Sequence, residues 1–254
     1  MRIAFIIATF GELPYDVGEL LHDSRVQEAL LRIERGEDLP GGIDKVRKLE
    51  EMGLVLKDSL NFPLILKESY SEMRPEVVSM ASEIAELVYH GLYGLVGDSR
   101  ELLSIAALGE LDAALDDVLT GKIDSLKLNS GQLIVCGFEG AKPMAYRGTF
   151  EETEKGVLCT IEVGRPSLEI SSSIDASSPI FAGSKEMLDM AGSVIEWCLP
   201  EAEAWADDLL LTGLKFDMFL YGFTKLVYSK AMERLGSEGG ILWDATIRYE
   251  ITGL

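Results

Sequence analysis

The chain has 254 residues, of which 47% are hydrophobic and 26% are charged. This composition predicts a globular core and excludes intrinsic disorder and low-complexity repeats. The formal net charge is −20, and the segments 1–75, 76–130 and 131–254 are each net acidic, which disfavours nucleic acid and anionic membranes as partners because both are bound through Lys and Arg.

The first predicted element is a strand from Arg2 to Thr9, an apolar run typical of strands that are buried on both faces. The run is far shorter than the ~20 residues of a membrane span, and no signal-peptide cleavage pattern follows it. The cysteines at 136, 159 and 198 form no Cys-x-x-Cys pair, which argues against a disulfide scaffold or a cysteine zinc site. We therefore expect a cytoplasmic protein without a membrane segment.

Two helices are predicted after the opening strand. Asp23 is typical of an N-cap, and the helix that it begins continues to about Arg35 and stops at Gly36. A Pro-Gly-Gly break follows, and the second helix covers 44–52. Beyond it, 54–57 and 63–67 predict two short strands joined by a turn at 59–61.

The sequence KLEEMGLVLKD, residues 48–58, joins the second helix to the first of these strands. It resembles the end of a recognition helix that continues into the wing of winged-helix regulators. The resemblance implies a nucleic-acid or protein-interaction module, with Lys45, Arg47 and Lys48 as its positive charges. The chain departs from that family because 37–42, where the middle helix belongs, is a Pro-Gly-Gly loop.

The middle of the chain predicts two long helices and then strands. Pro75 is placed to open a helix that ends near Tyr93, since proline is favoured in the first helical turn. Asp98 and Glu101 form a capping box for a helix that ends near Gly121. Four strands, separated by turn residues, then predict an antiparallel meander over 132–139, 142–150, 156–164 and 167–174.

The last third is predicted to be helical until a closing strand. Ser184 caps a helix that ends at Cys198, Pro200 starts another helix over 201–211, and a third helix covers 216–235. The closing strand, 241–251, alternates apolar and polar residues, and its core face is predicted to be Ile241, Trp243, Ala245, Ile247, Tyr249 and Ile251.

These elements predict an α+β fold in which an antiparallel or mixed sheet, made of the central meander and the terminal strands, is covered by helices. We expect a mainly helical region over 1–128 and a region of strands followed by helices over 129–254. If the terminal strands join the central sheet, the two regions form one continuous domain.

A serine-rich segment, 170–187, precedes a predicted helix start and is the first candidate ligand site. Backbone N–H groups at a helix start attract phosphate or carboxylate. Hydroxyl groups and one ammonium group add donors, from Ser171, Ser172, Ser173, Ser177, Ser178, Ser184 and Lys185.

The turn Thr9-Phe10-Gly11-Glu12 is a second candidate, because ligands in α/β sheets bind at the carboxyl ends of strands. The opening strand and this turn resemble the start of CRISPR-associated Rossmann-like nucleotide-sensing domains. The position of the turn makes Thr9 and Gly11 candidate ligand contacts. The chain departs from the family that it resembles because strand and helix do not keep alternating after this turn.

Two acidic clusters are candidate sites for a divalent metal, the one cofactor that the sequence indicates. Asp112 and Asp116 are four residues apart on one predicted helix, and so are Glu203 and Asp207 on another. Like charges at this spacing repel each other, and a cation held by oxygen ligands relieves the repulsion. The alternative interpretation is a solvated helix face.

Aromatic residues are frequent in the C-terminal third, where Phe219, Phe223 and Tyr228 are candidates for a homodimer surface. Three functions remain open: a small-ligand-binding regulatory or assembly protein with a small molecule or a protein as partner, a metal- or phosphate-dependent enzyme acting on a small molecule, and a winged-helix regulator.

Overall fold

The computed structural model describes residues 3–10, 13–38, 44–57, 59–96, 102–122, 127–128, 131–140, 146–163, 168–239 and 245–254. They form an α+β fold with antiparallel and mixed sheets packed against helices, which confirms the predicted fold class. Within these ranges, no helix combines the length and the apolar character that crossing a membrane requires.

The helices are α1 Val17–His22, α2 Ser24–Glu34, α3 Asp44–Glu51, α4 Lys67–Val96, α5 Leu102–Lys122, α6 Lys185–Leu209 and α7 Gly213–Gly239. The strands are β1 Ile3–Phe10, β2 Val55–Leu56, β3 Ser59–Leu60, β4 Leu64–Ile65, β5 Lys127–Leu128, β6 Gly131–Glu139, β7 Tyr146–Thr153, β8 Gly156–Val163, β9 Leu168–Asp175 and β10 Ala245–Thr252.

The chain forms two compact units, each assembled from three segments. The first unit comprises Met1–Val78, Ile123–Pro143 and Leu199–Lys225. The second unit comprises Ser79–Lys122, Met144–Cys198 and Leu226–Leu254. The division into a mainly helical region, 1–128, and a region of strands followed by helices, 129–254, stays a prediction.

Strand β6 is the centre of the first unit. It pairs with β1 in antiparallel fashion and with β4 in parallel fashion, while β5 pairs with its beginning. Residues 133–136 of β6 are completely buried. Gly222 lets α7 approach this strand, because a Cβ there would lie 2.8 Å from the Cβ of Cys136.

Local signals place the predicted helices of the first unit correctly. The Asp23 carboxylate accepts the N–H groups of Arg25 at 2.9 Å and Val26 at 3.3 Å, so it caps α2 as predicted. Gly36 ends the helix region with a φ of 67°, which favours glycine. Helix α1, capped by Asp16, is an additional element that the sequence reading did not predict.

The predicted start of α4 at Pro75 was wrong. The helix begins at Lys67 and continues through Pro75. Glu139 at the end of β6 accepts the N–H group of Lys67 at 2.9 Å and a hydrogen bond from Arg35 at 3.1 Å. A partner from a distant strand thus satisfies a donor at the helix start, and sequence-local signals could not show it.

The predicted hairpin after α3 is also different. Strand β2 pairs with β3, whereas β4, which was expected to close the hairpin, pairs in parallel with Gly137 and Phe138 of β6. Pairing with a strand that is distant in sequence and buried over 133–138 replaces the local pairing that the turn signals suggested.

The sheet of the second unit has the order β7-β8-β10-β9, which differs from the predicted meander. The closing strand lies between β8 and β9, antiparallel to the first and parallel to the second, and β6 belongs to the other unit. Three residues of the predicted core face, Ile247, Tyr249 and Ile251, are each at most 5% exposed. Ile241, Trp243 and the side chain of Ala245 lie outside the described residues. Thr246, predicted to face water, is buried as well.

The predicted break between two helices at Pro200 was also wrong. A single helix covers 185–209, although the sequence predicted an end at Cys198 and a new start after Pro200. Pro200 lacks an N–H group, so the carbonyl group of Glu196 loses its helical partner, but the helix continues.

Candidate functional site

The first three serines of the candidate ligand segment lie in strand β9 and not in a loop. Because side chains alternate along a strand, Ser171 and Ser173 lie on one face, where both are exposed. Ser172 lies on the other face, directly beside Tyr249 of β10. The structure therefore does not bring these three hydroxyl groups together.

The remaining serines make local hydrogen bonds. Ser177 donates from its hydroxyl group to Asp175 at 2.5 Å. Ser184 donates to the carbonyl group of Pro179 at 2.8 Å and accepts the N–H group of Met187 at 3.1 Å, so it caps α6 as predicted. Ser178 accepts the N–H group of Ile180 at 3.5 Å, and Lys185 is exposed. These local bonds do not test whether Ser177, Ser178, Ser184 and Lys185 bind a ligand, so that role stays a prediction.

The same segment covers a buried acidic side chain in the second unit. The N–H group of Ala182 donates to Oε2 of Glu110 in α5 at 2.9 Å. Tyr249 of β10 and Cys159 of β8 lie opposite each other in the sheet, and all three side chains are 1% exposed. Gly109 permits the close approach, because a Cβ there would lie 2.7 Å from the Tyr249 hydroxyl oxygen. We call Glu110, Tyr249 and Cys159 the buried acid cluster.

Burial governs the proton affinities in the buried acid cluster. Burial raises the pKa of Glu110, while the N–H group of Ala182 and the hydroxyl group of Tyr249 oppose the rise. Burial and then the charge of Glu110 raise the pKa of Cys159 to about 12 and hold the pKa of Tyr249 far above its usual value. Oε1 of Glu110 is buried and makes no well-formed hydrogen bond within the described ranges. The arrangement favours the neutral form of each group.

Glu110 belongs to the helix that was predicted to end near Gly121, and its burial was not predicted from the sequence. The sequence did contain a signal for this burial. Residues one helical turn away, Ala106, Ala107 and Ala114, are apolar, so Glu110 shares a face with them. All three are buried in the structure.

Of the turn after β1, the structure describes only Thr9 and Phe10, which form the end of the strand. Thr9 belongs to β1, where its backbone is opposite Leu133, but its side chain is outside the described part. Gly11 lies outside the described residues altogether. Ligand contacts at both positions stay predictions.

The four predicted metal ligands belong to different units. Asp112 and Asp116 are half-buried on α5 in the second unit, and Glu203 and Asp207 are exposed on α6 in the first. Over the described ranges, no group of three or more His, Cys, Asp or Glu side chains is placed to hold a metal ion.

Glu203 and Asp207 line an open groove of about 580 Å³ in the first unit. Apolar residues from the end of α6 and the start of α7 line the rest of it, namely Pro200, Ala204, Ala206 and Phe216. Two of the sequence-predicted residues therefore meet in one concave surface next to an aromatic ring.

The segment that resembles a winged helix keeps the order of helix and hairpin, α3 followed by β2 and β3. Two of its three positively charged side chains interact with other residues of the chain. Lys45 forms an ion pair with Asp23 at 2.7 Å, and the ammonium group of Lys48 lies 4.9 Å from the centre of the Tyr15 ring. Arg47 is exposed.

The predicted homodimer surface was wrong. Phe219, Phe223 and Tyr228 are each at most 2% exposed within the single chain, so they are core residues. Helix α7 buries them because its apolar residues extend around most of the helix. A homodimer stays a prediction, without these residues as its surface.

Comparisons of the chain with protein-family models, with curated proteins and with solved structures give no match.

Proposed function

We propose that this protein is a binding protein that takes up a cationic group in the groove of the first unit. The observation that supports it is the meeting of Glu203, Asp207 and Phe216 in one groove. Its volume, about 580 Å³, lies within the range of small-molecule sites in proteins. A net charge of −20 favours the same class of ligand.

The chemistry of the groove suits an organic ammonium or guanidinium group. Carboxylates four residues apart on a helix repel each other, and a cation between them removes the repulsion. The face of an aromatic ring attracts a cation by about 0.5–1 kcal/mol at exposed sites. Because both carboxylates are exposed, salt screens them, and we expect a millimolar Kd, which corresponds to about −4 kcal/mol.

An organic cation fits the groove better than a divalent metal ion. Calcium takes roughly 6–8 oxygen ligands, and two carboxylates supply only part of such a set. A metal-dependent enzyme is thus the alternative outcome of the test and not the proposal.

The test is a titration followed by NMR chemical shifts, with n-butylammonium, magnesium chloride and neutral n-butanol as probes. We expect saturable binding of n-butylammonium, and its loss in the double variant Glu203→Gln, Asp207→Asn. The matched control is Glu186→Gln, Asp189→Asn, which removes two exposed carboxylates from the same helix and should bind normally.

If both double variants bind n-butylammonium equally well, the binding comes from the overall negative charge and not from the groove, which would contradict the proposal. Saturable binding of magnesium without n-butylammonium would favour the metal-dependent alternative.

A further inference from the structure

Glu110 of the buried acid cluster faces no positive charge on the described strands around it. Because side chains alternate along a strand, one face of the sheet carries Cys159 of β8, Ser172 of β9 and Tyr249 of β10 beside one another. The charged side chains of these strands alternate onto the opposite face, namely Glu162, Glu169, Asp175, Arg248 and Glu250. The sheet therefore offers Glu110 polar hydrogen atoms and no cation.

The other described elements around Glu110 supply no cation either. Lys185, which follows the segment that contains Ala182, is exposed, and the described charged neighbours of Glu110 on α5 are acids, namely Asp112, Asp116 and Asp117. Oε2 of Glu110 accepts the N–H group of Ala182 at 2.9 Å, whereas Oε1 makes no well-formed hydrogen bond within the described ranges. An ionised Glu110 would therefore be a buried charge without a counter-ion, which is costly.

Residues 176–183, which we call the cover segment, are attached to the second unit by few interactions. Its first residue, Ala176, donates to the carbonyl group of Thr252 at 2.8 Å, where the sheet ends. Beyond Ala176, the described hydrogen bonds of the segment join residues at most five positions apart, except the bond from Ala182 to Glu110. Ile180, at 3% exposed, is the buried side chain of the segment.

We propose that the cover segment is a pH-sensitive lid, closed while Glu110 is protonated and opened when Glu110 loses its proton. The bond from Ala182 and the burial of Ile180 keep the lid closed in acid. An ionised carboxylate has to be hydrated, and water reaches it where the fewest interactions have to break. The strands and α5 are held by continuous backbone hydrogen bonds, so the cover segment is that place. The groove of the first unit has no part in this inference.

The direction of the pH effect follows from the two states of the lid. In the open state Glu110 is in water and has a pKa near 4.5, whereas burial raises its pKa in the closed state. Below pH 4.5 both states carry the proton, so opening is independent of pH. Above pH 4.5 the equilibrium constant for opening rises by up to about tenfold per pH unit, and it levels off once the pH passes the raised pKa.

The experiment is amide hydrogen exchange of the full chain, followed by NMR between about pH 5 and pH 8. Protection factors remove the direct effect of pH on the exchange reaction. We expect the protection factor of Ala182 to fall by up to about tenfold per pH unit. It should be at least about tenfold lower than that of Tyr249 in the central strand, and less sensitive to low concentrations of urea, because lid opening exposes little surface.

Glu110→Gln tests whether the carboxyl group controls the lid. The amide oxygen of glutamine still accepts the N–H group of Ala182, and the side chain cannot ionise, so the protection factor of Ala182 should become independent of pH. The matched control is Glu186→Gln, which removes an exposed carboxylate just after the cover segment and should behave like the natural chain. Met52, at the end of α3 in the first unit, is an internal reference whose amide protection should not follow the ionisation of Glu110.

The outcomes decide the inference with or without a folded Glu110→Gln variant. If Ala182 and Tyr249 have equal protection factors with equal urea dependence, only global unfolding uncovers Glu110, and the lid is overturned. A protection factor of Ala182 that does not change with pH in the natural chain, or that changes in parallel with Met52, overturns it as well. The same pH dependence in Glu110→Gln would assign the effect to another group and overturn the role of Glu110.

Discussion

Acidic stretches on two helices contain carboxylates in opposite environments. Glu110 on α5 is 1% exposed beneath the segment that contains Ala182, whereas Glu203 and Asp207 on α6 are exposed and line a groove. Each helix contains an acidic pair four residues apart, Asp112 and Asp116 on α5 and Glu203 and Asp207 on α6, and Glu110 lies two residues before the first pair. An acidic cluster in a sequence therefore does not by itself distinguish a buried neutral acid from a charged surface that attracts cations.

The packing around the buried acid cluster gives the largest expected effect. Gly109→Ala should lower the free energy of unfolding by about 1–3 kcal/mol, because the added Cβ would lie 2.7 Å from Ile161 and Tyr249. Gly192→Ala on α6 is the matched control. No atom lies within 4 Å of its added Cβ, so the variant should be more stable by about 0.5–1 kcal/mol.

Chemical denaturation measures both glycine variants. Equal changes in stability would show that α5 does not approach the sheet closely at Gly109 and would remove the structural basis for the burial of Glu110.

The pH dependence of stability sharpens the comparison further. Folding raises the pKa of Glu110 above its ordinary value of 4.5. The protonated carboxyl group therefore makes its full contribution to the free energy of unfolding below pH 4.5. This stability is lost as the pH rises through the raised pKa, by up to about 1.4 kcal/mol per pH unit. Glu110→Gln has no proton to lose, so its stability relative to the natural chain should increase with pH.

Urea denaturation between about pH 5 and pH 8 tests this expectation. Parallel stability curves for Glu110→Gln and the natural chain would mean that the carboxyl group keeps its ordinary pKa and is not buried as described.

The helix end at Leu210, where φ is 52°, is expected to give a smaller change of opposite sign. Leu210→Gly should stabilise the chain by roughly 0.5–1 kcal/mol, since relief of the left-handed conformation exceeds the greater entropy of glycine in the unfolded chain. Leu211→Gly is the control, because Leu211 does not adopt a positive φ, and it should be destabilising. Thermal unfolding of the two variants decides the sign, and a destabilised Leu210→Gly would contradict the strained helix end.

The smallest expected effect concerns the segment that resembles a winged helix. We expect no retention on heparin at low salt, because Lys45 is paired with Asp23 and Lys48 lies over the Tyr15 ring, while the chain as a whole is acidic. Retention that is lost when Lys45, Arg47 and Lys48 are replaced by alanine would favour the nucleic-acid regulator over the cation-binding protein.

Signals that act within one helical turn were predictive. Asp23 and Ser184 cap helices where the sequence placed them, because the hydrogen bonds of an N-cap involve only the next three residues. The alternation of the closing strand placed Ile247, Tyr249 and Ile251 in the core for the same local reason. Glu203 and Asp207 were selected as metal candidates by their spacing alone, and that role stays a prediction.

Proline was a weaker signal than expected. Pro75 and Pro200 each lie inside a continuous helix, although the sequence placed a helix start at each. Helix α4 starts at Lys67 instead, where the N–H group of that residue donates to Glu139 of a distant strand.

By itself, the sequence determined the α+β class, the acidic character, the helix caps at Asp23 and Ser184 and the burial of Ile247, Tyr249 and Ile251, because these depend on composition and on neighbours along the chain. Only the tertiary structure decided that β10 lies between β8 and β9, that Glu110 is buried with Tyr249 and Cys159, and that Glu203 and Asp207 meet Phe216. These features arise from pairing between distant segments, where the burial of a surface depends on which partner covers it and not on the residues beside it in sequence.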